Sequence, residues 1–144
     1  MNDGPDPIDP IPGFAQLVGY HLAAWQPDYA EVAITLAPQH LNRSDAPHGG
    51  LIATLIDTAS GFAGCYCTPP VRPRRVMTLS LNVSFIGQTT LGATLIAKAR
   101  RTGGGQTIFF THCDLTDDSG RLIATGEGVF KYRRGSEDPN GVPA

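Results

Sequence analysis

The sequence predicts an α+β fold in which a single antiparallel sheet wraps around one long helix. Three observations predict it. Residues 51–63 place apolar side chains around nearly the whole circumference of a helix. From residue 78 onward the apolar residues recur with period two, between turns rich in glycine. A hairpin pattern precedes the helix. Because a helix that is apolar on most sides has to be covered, we expect the sheet to curve around it.

Turn-forming residues separate the elements on the N-terminal side of the helix. These elements are a proline-rich, flexible leader over 1–12, a short helix over 13–18, strands over 20–26 and 29–36 joined at Pro27 and Asp28, and a loop over 37–47. Pro69 and Pro70 are expected to stop the long helix.

The C-terminal half predicts strands that meander through glycine-containing turns. The strands are expected over 78–85, 91–101, 106–115 and 122–132, with turns at 103–105 and 117–120. In the first of them Leu79, Leu81, Val83 and Phe85 share one face. We therefore predict one domain over 13–133, followed by a flexible tail over 134–144.

The charge composition excludes several classes of partner. Eleven Lys and Arg against 13 Asp and Glu give a net charge of −2, so no basic excess indicates nucleic acid. Residues 76–97 are uncharged but rich in Thr and Ser, which indicates strands and no membrane partner. Charged residues make up only 17% of the chain, and this low share hints that part of the surface is buried against another subunit.

The cysteine and histidine patterns indicate neither a disulfide framework nor a bound metal. Three cysteines cannot all pair, which is typical of free thiols in a reducing compartment. No charged segment precedes an apolar run at the N-terminus, so a cytoplasmic location is expected. The four histidines lack metal-ligand spacing, and we expect neither a metal nor a cofactor. They are His21, His40, His48 and His112.

Asp57 is the only charged residue between positions 48 and 72, and it falls in the middle of the predicted helix. Aspartate is a poor residue inside a helix and is rarely buried without a partner. Two interpretations stay open: Asp57 is a functional carboxylate, or it lies on a narrow exposed stripe with Thr54, Thr58 and Gly61.

The beginning of this helix is also unusual, because Gly49 and Gly50 follow His48 directly. Glycine weakens a first helical turn, but it leaves N–H groups open at the positive end of the helix dipole. Such a group suits a carbonyl oxygen that gains negative charge, whereas the alternative is a plain tight turn. Gly49 and Asp57 are eight residues apart, about 12 Å along a helix. One carbonyl cannot contact both, so a common site requires two chains with antiparallel helices.

The spacing of these residues resembles the signature of a known family. The segment from Asn42 through His48, Gly49 and Gly50 to Asp57 is similar to that of hotdog-fold acyl-CoA thioesterases of the PaaI type. Residues 79–85, 117–124 and 126–128 also resemble this family, so the resemblance covers roughly 14–132.

The resemblance implies a long central helix wrapped by one sheet, and subunits that join their sheets edge to edge into dimers and often tetramers. It implies hydrolysis of an acyl-CoA by Asp57, acting either as nucleophile or as general base on water. The implied roles of the other residues are a polarising backbone donor at Gly49, a carbonyl or water contact at Asn42, an adjacent imidazole at His48, a water-orienting hydroxyl at Thr78 and a substrate contact at Gly50. Ser44 and Asp45 stand where many members have a glycine.

The acyl group and the contacts to CoA are less well defined by the sequence. Arg100, Arg101 and Arg133 are the predicted phosphate contacts, the alternative being that they are solvated strand ends. Five aromatic residues line an acyl pocket or fill the core, namely Phe62, Tyr66, Phe85, Phe109 and Phe110. Two other functions are considered: a hydratase or dehydratase of acyl thioesters on the same fold, and a non-catalytic acyl-CoA-binding module.

Overall fold

The structure, a computed structural model, describes residues 13–67 and 74–141. It confirms the α+β class and the single antiparallel sheet. In chain order the elements are α1 (Gly13–Val18), β1 (His21–Gln26), β2 (Tyr29–Thr35), a 3-10 turn (Pro38–His40), α2 (Gly49–Ala63), β3 (Val76–Phe85), β4 (Thr94–Gly104), β5 (Ile108–Asp117) and β6 (Leu122–Tyr132). The predicted leader over 1–12, the two prolines after α2 and residues 142–144 lie outside the described residues.

The six strands follow the order β1-β2-β4-β5-β6-β3, and every neighbouring pair is antiparallel. The meander predicted for the C-terminal half holds for β4, β5 and β6. Strand β3 does not pair with β4, its successor in the chain, but with β6 at the far side of the sheet. As a result, β3 has one paired edge and one edge that is open within the described part of the chain.

Strand β3 contains a bulge at Leu79 that changes the direction of its side chains. Thr78 is opposite Phe130 and Ser80 is opposite Val129, so Leu79 has no partner on β6. The bulge shifts the alternation by one residue. Leu81 and Val83 share one face, as predicted, and pack against the core, whereas Leu79 is half exposed at the bulge. Thr78 faces α2 as well. Strict alternation through 78–85 would put Thr78 on the other face.

Helix α2 begins at Gly49, where the two glycines were expected to open it, and His48 caps its N-terminus. The Nδ1 atom of His48 accepts a hydrogen bond of 2.8 Å from the Gly50 N–H. The apolar sides of the helix pack into the concave face of the sheet, and Leu55, Ile56 and Ala59 are fully buried.

A glycine in β6 lets α2 lie close to the sheet. A Cβ atom at Gly126 would lie 2.4 Å from Cγ2 of Ile56, which is too close for any side chain. Gly126 faces the helix from the middle of β6, where its neighbours along the sheet are Val83 and Cys113. This glycine therefore serves helix packing and not a turn.

Arg74 anchors the segment that follows β6. Its guanidinium donates hydrogen bonds to the carbonyl oxygens of Ser136, Glu137 and Gly64, and it lies 3.9 Å from the centre of the Tyr132 ring. Ser136 is only 3% exposed. This part of the predicted tail thus packs against the C-terminal end of α2.

Strand β4 begins three residues later than predicted and ends later as well. Gly92 adopts a left-handed φ of 89° in the preceding turn, so the chain becomes extended only from Thr94. At the other end the strand continues to Gly104 through a bulge between Arg101 and Gly103. No helix in the described residues is long and apolar enough to span a membrane.

Candidate active site

The first turn of α2 leaves one backbone N–H without a partner. The N–H of Gly50 donates to His48, and those of Leu51 and Ile52 both donate to the His48 carbonyl oxygen. Within the described residues, no hydrogen bond involves the N–H of Gly49. This group lies at the positive end of the helix dipole and can polarise a carbonyl.

Gly50, for which a substrate contact is predicted, takes part in the cap of the helix. Its N–H is occupied by His48, and a Cβ atom there would lie 3.0 Å from Nδ1 of the imidazole. Gly50 therefore makes room for the cap. Since Nδ1 accepts a hydrogen bond, the neutral imidazole of His48 carries its proton on Nε2.

The loop before α2 has a defined shape that Asn42 maintains. Its Oδ1 atom accepts hydrogen bonds from the N–H groups of Ser44 (2.8 Å) and Ala46 (3.1 Å). Its backbone N–H donates to the Ala46 carbonyl oxygen at 2.7 Å. Asp45 adopts a left-handed φ of 57°, which aspartate tolerates better than most residues, so the loop forms without the glycine found in many members. Asn42 consequently offers a ligand only its amide N–H groups.

An open cavity of about 720 Å³ adjoins the start of α2. Its walls bring together Asn42 and His48, two of the predicted site residues, and His48 directly precedes Gly49 in the chain. The remaining lining residues are Leu41, Arg43 and Ser44. Sequence reasoning missed Arg43, although its position directly after Asn42 was a usable signal.

Asp57 projects from a half-exposed stripe of α2 and is held by a hydroxyl group of β3. The Oγ1 atom of Thr78 donates a hydrogen bond of 2.6 Å to Oδ1 of Asp57. Thr54 and Thr58 share the stripe, but their hydroxyls donate to helix carbonyls at 2.8 and 2.7 Å. Gly61, which was expected on the same stripe, is buried against Val76 and Phe130. The structure thus brings Thr78 and Asp57 together.

The two halves of the candidate site are too far apart in one chain to contact the same carbonyl. Gly49 and Asp57 belong to one continuous helix, eight residues and about 12 Å apart. Asn42, His48 and Gly49 therefore form one group at the helix start, and Asp57 and Thr78 form a second group at its middle.

The three predicted phosphate contacts lie at the end of the sheet where α2 ends. Arg100 is on the outer face, opposite Tyr29 and His112. Arg101 donates hydrogen bonds to the carbonyl oxygens of the glycine turn at residues 103 and 105. Arg133 is exposed after β6. Within one chain, the structure does not bring these cations to the cavity beside Gly49.

The aromatic residues divide between core and surface. Phe109 is buried and stacks on Phe130 with ring centres 5.3 Å apart, and Phe62 packs edge-on against Trp25 at the same centre distance. Phe110 is exposed on the outer face. Phe85 lies beside Gly49, where its ring would be 3.4 Å from an added Cβ atom.

In the part of the chain that the structure describes, the cysteines and the acidic residues offer no second catalytic or metal-binding group. Burial raises the pKa of the Cys65 and Cys113 thiols to about 12, so almost no thiolate exists near neutral pH. In the described residues no three His, Cys, Asp or Glu side chains are grouped so that they could hold a metal ion.

The chain matches the model of a known protein family and is similar to proteins with assigned names. The family model described as "Thioesterase superfamily" matches residues 47–124, which include the start of α2, Asp57 and Thr78. Acyl-coenzyme A thioesterase 13 of Mus musculus is 30% identical over 118 residues, covering 81% of this chain and 82% of that protein.

Two solved structures share the fold at lower identity. The Escherichia coli PaaI protein from the phenylacetic acid degradation operon superposes with a TM-score of 0.75 at 19% identity, covering 85% of each chain. The smu.793 protein of Streptococcus mutans, solved with acetyl-CoA bound, has a TM-score of 0.69 at 20% identity and covers 79% of this chain and 88% of that chain. At these identities the likeness establishes the fold.

Proposed function

The chain belongs to the thioesterase superfamily and has its hotdog fold, and from this premise we propose that it hydrolyses acyl-CoA thioesters to the free acid and CoA. The observation that carries the proposal is that α2 presents two groups: an open backbone N–H at Gly49 and, at Asp57, a carboxylate that is hydrogen-bonded to Thr78. The relative from Mus musculus, named as an acyl-CoA thioesterase, supports this substrate class.

The proposed chemistry needs no cofactor, because a thioester carbonyl is electrophilic and a thiolate leaves readily. The N–H of Gly49 binds the carbonyl oxygen and stabilises the negative charge that develops on it. The amide N–H groups of Asn42 and the Nε2–H of His48 are further donors on the same cavity wall.

Asp57 supplies the other half of the reaction in one of two ways. It attacks the carbonyl carbon and forms an acyl anhydride that water then hydrolyses, or it takes a proton from a water molecule that attacks directly. In both routes the C–S bond breaks, the hydroxyl group of water stays on the acyl carbon, and a proton is available for the CoA thiolate. Thr78 fixes the carboxylate orientation through its hydrogen bond.

We propose that each site is shared between two subunits joined through β3. The open edge of this strand presents unpaired backbone groups, and Leu79 and Phe85 on the strand are 50% and 59% exposed. Antiparallel pairing of two β3 strands about a two-fold axis sets the two α2 helices antiparallel. Gly49 of one subunit then approaches Asp57 of the other, as the 12 Å separation requires.

The same arrangement accounts for the three arginines that are predicted to bind the CoA phosphates. A second, antiparallel subunit brings the end of its own sheet, with Arg100, Arg101 and Arg133, towards this cavity. Buried free thiols in each chain are compatible with the cytoplasmic location that we propose.

The catalytic proposal is tested by following CoA release from a panel of aryl and alkyl thioesters with the wild-type protein, Asp57→Ala and Asp57→Asn. We expect wild-type turnover and a loss of about 100-fold or more in kcat for both variants. Undiminished turnover in Asp57→Ala contradicts the mechanism. Tight acyl-CoA binding without turnover favours the binding module, and addition of water to an enoyl thioester favours a hydratase.

The shared site is tested by complementation between two inactive variants. Gly49→Pro removes the N–H and keeps the helix start, because proline is favoured at the first helical position and His48 is already extended; its Cβ atom lies 3.4 Å from the Phe85 ring, as that of alanine does. Mixed with Asp57→Ala, it should restore activity in heterodimers that carry one intact site. Gly49→Ala, which keeps the N–H, is the matched control. Verified heterodimers without activity contradict a site shared between subunits.

A further inference from the structure

Arg43 is a cation at the candidate site to which no role has been assigned. It follows Asn42 in the loop before α2, is exposed, and lines the same cavity as Asn42 and His48. No hydrogen bond or ion pair joins its guanidinium to another residue in the described ranges. The loop that carries it is fixed by the hydrogen bonds of Asn42, so the side chain starts from a defined point.

Other arginines with described contacts are already engaged. Arg101 donates to two carbonyl oxygens of the glycine turn, and Arg74 donates to three carbonyl oxygens around the end of α2. Arg121, which lies at the same end of the sheet as the start of α2, donates to the carbonyl oxygen of Gln88. The Arg43 guanidinium keeps its donors available for an anion.

The position of the cavity relates Arg43 to one part of the substrate. A carbonyl bound at Gly49 leaves one arm of the thioester to pass through the open side of the cavity. The CoA arm is polar and carries phosphates, which match the polar lining provided by Asn42, Ser44 and Arg43. A guanidinium binds phosphate through two parallel hydrogen bonds, a geometry that lysine cannot reproduce.

We propose that Arg43 binds a phosphate group of the CoA moiety and thereby selects CoA thioesters over thioesters of uncharged carriers. This inference rests on the proposed function, and it adds a specificity residue that acts from the subunit providing Gly49. Arg43 touches the substrate far from the reacting carbon, so it contributes to binding and not to the chemical step.

The test compares acyl-CoA with acyl-pantetheine, which has the same acyl group and thioester but no phosphate. Arg43→Gln should raise KM for acyl-CoA about 5- to 20-fold, the range of a charge-assisted hydrogen bond at an exposed site, with kcat changed less than about 2-fold. KM for acyl-pantetheine should not change. The KM of Arg43→Lys for acyl-CoA should lie between those of the wild type and Arg43→Gln. The dependence of this KM on ionic strength should weaken in Arg43→Gln.

Two further variants make the comparison sharper. Lys98→Gln removes the same charge from the outer face of the sheet, where Lys98 lies 3.9 Å from Glu31, and should leave both KM values unchanged. Asp45→Asn removes a negative charge from the Arg43 loop and keeps a residue type that tolerates the left-handed φ, so it should lower KM for acyl-CoA.

The inference is overturned if Arg43→Gln leaves KM for acyl-CoA unchanged, or if it raises KM for acyl-CoA and for acyl-pantetheine by the same factor. A wild-type protein that hydrolyses neither thioester removes the proposed function, and Arg43 is then judged by calorimetric titration with CoA and with pantetheine. CoA affinity that falls only in Arg43→Gln supports the phosphate contact. Equal CoA affinity in wild type and variant, or none in either, contradicts it.

Discussion

At the scale of single residues, the orientation of Asp57 depends on one hydroxyl group. Thr78 reaches Asp57 because the bulge at Leu79 turns it towards α2. The hydrogen bond of 2.6 Å occupies Oδ1 and leaves Oδ2 for the water or the acyl carbon of the proposed reaction. A carboxylate held in this way loses less rotational freedom when the transition state forms.

Replacing Thr78 should therefore affect turnover more than binding. Thr78→Val has nearly the same shape and lacks the donor, so we expect kcat to fall about 10-fold or more, the value of one hydrogen bond to a charged group. KM should change little. Thr78→Ser keeps the hydroxyl and should retain most of the activity. Steady-state kinetics with one acyl-CoA decide this, and equal kcat in Thr78→Val and wild type would contradict the role.

His112 forms a second carboxylate contact, on the outer face of the sheet and away from the site. Its Nδ1 atom is hydrogen-bonded to Oε1 of Glu127, and its Nε2 atom lies 2.8 Å from Oδ1 of Asp114. The pKa of His112 is raised, mainly by the hydrogen bond to Glu127 and further by Asp114, although partial burial lowers it. Arg100 faces the imidazole from β4.

The raised pKa makes the contribution of His112 to stability depend on pH. The contribution is fully present below the unfolded pKa of about 6.5 and is lost as pH rises through the folded value. In urea unfolding at fixed protein concentration, His112→Gln should lower the free energy of unfolding more at pH 6 than at pH 9. His21→Gln, at an exposed position on β1, is the control. An equal or larger effect at pH 9 would refute this assignment.

The sequence singles out candidate site residues, but it does not give their contacts. Gly49 and Asp57 stand out because their types are unusual for a helix start and a helix centre. The capping role of His48 and the commitment of the Asn42 oxygen to its own loop depend on backbone geometry that residue types do not determine. The cavity that makes Arg43 a candidate depends on the same loop geometry.

At the scale of elements, the contact between α2 and β6 sets how closely the helix approaches the sheet. Gly126→Ala would force its methyl group against Ile56, and overpacking of this kind costs about 1–3 kcal/mol. Gly105→Ala, where no heavy atom lies within 4 Å of the added Cβ, should stay within about 0.5 kcal/mol of wild type. Both values follow from urea unfolding.

A double-mutant cycle separates this contact from a general strand effect. Ile56→Ala removes the Cγ2 atom that Gly126 faces, so Gly126→Ala should cost less in that background than in the wild type. The same cost in both backgrounds would show that a residue other than Ile56 sets the limit at Gly126.

The elements themselves follow largely from periodicity and turn residues, and their order in the sheet does not. Strand β6 has the predicted bounds and α2 the predicted end, because the pattern and the flanking residues agree there. The position of β3 beside β6 results from non-local pairing, and the bulge at Leu79 breaks the alternation on which the prediction of its faces relied. Local patterns contain neither kind of information.

At the scale of the whole molecule, the two edges of the sheet differ in a way that favours one interface. Strand β1, at one edge, has only six residues and pairs with β2, the next strand in the chain. Strand β3 has ten residues, an open edge, and exposed apolar side chains at Leu79 and Phe85. A long apolar edge is a hazard for a monomer, and pairing with a second copy removes it.

A single charge introduced on this edge should therefore both separate the subunits and abolish activity. Lysine on an edge strand opposes strand pairing, and Leu79 is half exposed and unpaired with β6, so Leu79→Lys should keep the fold of the single chain. We expect sedimentation to show the wild type as a dimer or larger, and Leu79→Lys as a monomer of 15.3 kDa with unchanged circular dichroism. Activity should be lost, since each monomer keeps only two half-sites. Leu17→Lys, at a position on α1 that is 79% exposed, should stay oligomeric and active. A Leu79→Lys protein that sediments and turns over like the wild type, or a wild type active as a monomer, would rule out a site completed across β3.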